Sequence, residues 1–68
     1  MVVVTYWVGT SQRTGTAETY AEAMALADLN KNAYPPRFAD ETGKPLYDTG
    51  YGLAYEEPDS QGRIVCVV

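Results

Sequence analysis

The chain has 68 residues, 46% of them apolar, with a formal net charge of −4, one cysteine and no histidine. This is enough for one small domain, residues 1–68, near the lower limit for a self-supporting core, and too apolar for a disordered segment. A lone cysteine excludes an intrachain disulfide, and the lack of histidine removes the usual zinc ligand, general base and pH switch, so stability is expected to rest on packing, which chains this short often supplement by oligomerising.

The opening stretch MVVVTYWVG has no basic leader and only a short apolar run, so it reads as neither a signal peptide nor a membrane span. Val2 to Val8 is β-branched and aromatic throughout and is predicted to be a strand. Alternation puts Val2, Val4, Tyr6 and Val8 on one face and Val3, Thr5 and Trp7 on the other, so both faces are apolar. GTSQRTGT follows, either a loop or a hairpin tip leading into a short second strand over Thr14–Glu18. Its two glycines lack the lysine that a phosphate-cradling P-loop places after them.

Thr19-Tyr20-Ala21-Glu22 fits a capping box, in which the threonine hydroxyl and the glutamate carboxylate satisfy each other's backbone N–H groups. The helix is expected from Tyr20 to about Lys31, ending at Asn30 or Asn32 before Pro35-Pro36. Tyr20, Ala23, Met24, Leu26 and Ala27 share one face, its alanines small enough to lie close on a sheet, while Leu29 points away. Two hairpins are expected to complete the chain. One turns at Asp40-Glu41-Thr42-Gly43, the other at Pro58 to Gly62 between strands at Gly52–Glu57 and Arg63–Val68.

The expected fold class is therefore α+β, a single helix packed on a four- to five-stranded, mainly antiparallel sheet. One short helix covers one face of such a sheet, so the other is left with an apolar surface of the kind that marks an interface, with itself as a homodimer or with a foreign partner.

Catalytic chemistry finds little support. Cys66 lies in IVCVV, where a buried, unactivated thiol is expected. Glu56 and Glu57 are adjacent in a strand and point to opposite faces, so they do not form an acid–base pair. The acids fit no EF-hand spacing. No enzyme activity, metal or cofactor is expected.

Charge placement is more informative. Residues 40–59 hold six acids against Lys44 alone, a local charge of −5, while the rest of the chain sums to +1. Such a field disfavours nucleic-acid phosphates and attracts basic surfaces; as a bland alternative it is a solvated face. A sheet displaying tyrosine and tryptophan can also stack bases, but the tyrosine-rich hairpins are the acidic part, so direct nucleic-acid binding is disfavoured. Tyrosines rimmed by carboxylates fit a protein interface, and the partner-binding candidates are Trp7, Tyr47, Tyr51, Tyr55, Glu56, Glu57 and Asp59, with Tyr51, Leu53 and Tyr55 on one strand face. The alternatives are aromatic packing into the core, a homodimeric assembly protein and an aromatic-sheet nucleic-acid binder.

In size, acidity and expected architecture the chain resembles the accessory proteins of bacteriophages and mobile elements, anti-CRISPR proteins among them. Opening on Met1 and closing on a hydrophobic stretch, it is expected to be a complete short reading frame. The lone thiol and the lack of an export signal point to a bacterial or host cytoplasm, and the resemblance implies a protein that binds a host protein or nucleoprotein complex and blocks it, while assigning no role to any single residue. Separately, TGTAETYAEAMALADL, residues 14–29, resembles the strand–turn–helix of HicB-type antitoxins.

Overall fold

The computed structural model describes residues 1–31 and 34–68. Its elements run β1 (Val2–Val8), β2 (Ser11–Ala17), α1 (Tyr20–Asp28), β3 (Arg37–Asp40), β4 (Pro45–Asp48) and β5 (Leu53–Tyr55). The strands form one antiparallel sheet in the order β2-β1-β3-β4-β5, with the helix packed on one face. This is the expected α+β arrangement. Among the described residues, no helix is long and apolar enough to cross a membrane.

β1 and β2 form a hairpin whose pairing Val8↔Ser11 leaves Gly9 and Thr10 as the turn. Gly9 has φ 65° and Thr10 is not left-handed, the pattern of a tight turn with glycine at its first central position. The second strand therefore starts earlier than expected, at Ser11 rather than Thr14, and ends at Ala17.

Thr19 caps the helix: it is extended (φ −131°, ψ 162°) and its Oγ1 accepts from the Glu22 N–H at 3.1 Å. Glu22 reaches back one residue further than a capping box requires, accepting the Glu18 N–H at 3.1 Å. The helix stops at Asp28, short of Lys31, because Asn30 is drawn to the sheet. Its Oδ1 accepts the Trp7 N–H at 2.7 Å, and the Lys31 N–H donates to the Trp7 carbonyl at 2.9 Å. The alternative end at Asn32 lies outside the described residues.

Directly opposed residues share a sheet face. Gly15, Val4, Phe38, Leu46 and Tyr55 thus form one row beneath the helix side, across all five strands. Val2, Val4, Ala17, Leu46 and Leu53 are buried there with Ala23 of the helix. Gly15 lets the helix in: a Cβ at that position would stand 2.9 Å from Leu26 Cδ1. The helix lies over β1 and β2, and Val67 and Val68 pack against the same core.

The segment Arg63–Val68 does not form the expected strand. It touches β5 through the isolated bridge Ala54↔Cys66 and bonds between Leu53, Tyr55 and Val65, Val67, Val68. The Leu53 N–H donates to Val68 and the Tyr55 N–H to Val65, so the segment carries one residue more than β5 between those bonds, a bulge. With β5 three residues long, the ladder cannot propagate. Cys66, expected buried, is exposed as a result, as are Ile64 and Val65.

Candidate functional site

The helix-free face follows from the same register. One row reads Thr14, Thr5, Arg37, and continues on β4 and β5 with Tyr47 and Ala54; a neighbouring row reads Thr16, Val3, Ala39, Pro45. The small Ala39 leaves a hollow. Thr5, Pro36, Arg37, Pro45, Tyr47 and Glu56 stand around it, in an open groove of about 560 Å³. Trp7 sits on this face beyond Thr5, half-buried, its ring 5.8 Å from that of Tyr34 at an angle of 55°. The Asn30 side-chain amide donates to the Tyr34 carbonyl at 2.7 Å, so one asparagine joins the helix end, β1 and this aromatic pair.

The acidic segment divides into two kinds of carboxylate. Asp40, Asp48 and Asp59 organise turns. Asp40 Oδ1 accepts from the N–H groups of Thr42 and Lys44 at 2.9 Å each and from the Thr42 hydroxyl at 2.7 Å, while Oδ2 accepts from the Tyr55 hydroxyl at 2.7 Å. The Thr42 and Tyr55 hydroxyls hold its carboxyl well below the usual carboxylate range. Asp48 accepts from the Tyr20 hydroxyl at 2.6 Å and the Gly50 N–H at 2.8 Å, which lower its pKa. Asp59 accepts from the Arg63 and Gln61 N–H groups at 2.9 Å and from Arg63 Nε at 3.2 Å, and its pKa falls for the same reason. Glu41 faces the terminal ammonium of Met1 at 3.3 Å. Glu56 and Glu57 are exposed.

The turn role of the aspartates was readable in the sequence. Each stands two or three residues before a glycine with positive φ: Gly43 at 91°, Gly50 at 90° and Gly62 at 78°. Aspartate followed by such a glycine is an Asx-turn pattern.

The four tyrosine and tryptophan candidates separate by position. Tyr51 is 94% exposed. It lies not in a strand, as alternation implied, but in a turn built on Thr49. Thr49 Oγ1 accepts from the Tyr51 and Gly52 N–H groups at 3.2 Å each and donates to the Gly52 carbonyl at 2.9 Å. Tyr55 is on the helix side, bonded to Asp40, with Lys44 Nζ 4.4 Å from its ring centroid. Tyr51 and Tyr55 therefore do not share a strand face. Tyr47 and Trp7 face the open side, and Glu56 borders the groove. Asp59 is taken up by its own turn and by Arg63.

Among the described residues, no three acidic or cysteine side chains are grouped to hold a metal ion. No family model matches the chain, and no curated protein or solved structure matches it either.

Proposed function

We propose that this chain is a non-enzymatic protein-binding module, an inhibitor of the phage or mobile-element kind, acting in a bacterial cytoplasm by covering a basic surface of a host protein or nucleoprotein complex. The observation that carries this reading is Tyr51, an aromatic ring almost wholly exposed on a turn whose backbone is pinned by Thr49. A turn whose backbone is already fixed lowers the ordering cost of presenting this ring to a partner. Tyr47 and Trp7 add contact area on the open face. Glu56 and Glu57 supply uncompensated negative charge, which steers a basic partner more than it adds affinity.

The experiment is capture from bacterial lysate on the immobilised chain, beside Tyr51→Ala and Glu56→Lys/Glu57→Lys. The expected result is one protein or complex retained in stoichiometric amount by the wild type, lost with Tyr51→Ala, and captured more slowly and in smaller amount with the double charge reversal. Retention of nothing, or retention that ignores both variants, would overturn the proposal.

A further inference from the structure

We infer that the groove on the helix-free face binds an extended peptide segment bearing a basic side chain, an apolar one two residues on and an acidic one two further on. Arg37, on β3, and Glu56, just past β5, both line this groove. They form no ion pair with each other. Among the described residues neither has an ion-pair partner elsewhere, the pairs there being Met1–Glu41 and Asp59–Arg63. Asp48 also borders the groove, but its carboxylate already accepts from the Tyr20 hydroxyl and the Gly50 N–H. The groove is thus left with one uncompensated charge of each sign.

The spacing of the two charges fits an extended chain. By the sheet register Glu56 lies two strands and two residues from Arg37. Strand spacings of about 4.8 Å and a rise of about 3.3 Å per residue put their Cα atoms about 12 Å apart. In an extended peptide the first, third and fifth side chains point the same way, and the first and fifth Cα atoms are about 13 Å apart. A base at the first position then meets Glu56, and an acid at the fifth meets Arg37. The third side chain falls over β4, between Pro45 and Tyr47 and beside the hollow left by Ala39. The groove is open, so it suits a segment that runs on past both ends, whereas a free small molecule is held by a pocket that encloses most of its surface.

The inference stands apart from the partner-binding reading, which is carried by Tyr51, and is tested on the purified chain alone. The probe is a synthetic peptide of five residues with blocked ends, lysine first, leucine third, glutamate fifth and serine between. Titrated to millimolar concentration, it should shift NMR amide signals of β3 and β4. Arg37→Glu and Glu56→Lys, both at exposed sites, should each weaken this peptide about fivefold. Arg37→Glu should then prefer a peptide with lysine at both ends, and Glu56→Lys one with glutamate at both ends. Ala39→Leu, which fills the hollow, should remove binding with the circular dichroism spectrum unchanged. Tyr51→Ala should leave peptide binding as it is, so failure of the groove and failure of the Tyr51 anchor are read separately. No shift at any concentration overturns the inference. So do shifts that avoid β3 and β4, or charge reversals that leave the preference among the three peptides unchanged.

Discussion

The Tyr55 hydroxyl donates to Asp40 Oδ2 at 2.7 Å, tying the last residue of β5 to the last residue of β3 across the intervening β4. The bond couples stability to pH in both directions. The folded-state pKa of Asp40 lies below its unfolded value of about 4, so its contribution is present above that value and is lost as pH falls towards the folded one. Asp48 and Asp59 act in the same sense. The bond to Asp40 raises the Tyr55 pKa, and the bond to Asp48 raises that of Tyr20. Their contributions are present below the unfolded value of about 10 and are lost as pH rises through the folded ones. Thermal melts should show a plateau between these limits and a decline on each side. In Tyr55→Phe the Asp40 carboxyl should titrate closer to an ordinary aspartate by NMR; an unmoved midpoint would show that the bond does not form.

Thr19→Ala should cost about 1 kcal/mol in urea denaturation by leaving the Glu22 N–H without its acceptor. Thr19→Ser should recover most of it. Equal losses in the two variants would place the effect elsewhere than in the cap.

Leu53 is fully buried and is among the largest such side chains in the core. Leu53→Ala should cost about 2–5 kcal/mol. A domain of this size has about 3–10 kcal/mol in total, so the variant loses a large share of it and should melt more than about 10 °C below the wild type by circular dichroism. A cooperative melt close to wild type would mean that the β4–β5 end contributes little to the core.

Gly52→Ala would drive a Cβ into the Val68 carbonyl oxygen. The backbone cannot yield there without releasing the bond from the Leu53 N–H. Faster exchange of the Leu53 amide, with β1–β2 amides unchanged, is the expected outcome. Uniform exchange changes would contradict this local account.

The lone thiol gives a direct check on the C-terminal segment. Cys66 is exposed, so it should react fully with a thiol reagent in the native state. Labelling only after denaturant is added would restore the buried strand that IVCVV implies.

What was legible in the sequence rests on local chemistry. The β-branched run at Val2–Val8, the Thr19 cap and the Gly43 and Gly62 turns each depend on residues a few positions apart. The failures depend on distant partners. Arg63–Val68 has the composition of a strand, but whether it pairs along its length is decided by the three-residue β5 it meets. The helix loses its last turn to the Trp7 backbone, more than twenty positions away. Tyr51 was placed in a strand by alternation because nothing in the pattern shows that the Thr49 hydroxyl closes a turn around it.

The strand order carries a consequence for how the chain reaches this state. β1–β2, β3–β4 and β4–β5 are all hairpins that close short loops, while β1–β3 joins segments separated by a strand and the helix. That seam has four residue pairs, from Val2↔Asp40 to Thr5↔Arg37. Among the strand pairings, this seam therefore carries the largest loop-closure cost, met before its contacts reward it. Trimming Phe38, which pairs with Val4 in the seam, should slow refolding, whereas trimming Leu53 should mainly hasten unfolding. A change at the seam is therefore expected to delay the native state more than an equal loss of stability at the β4–β5 end.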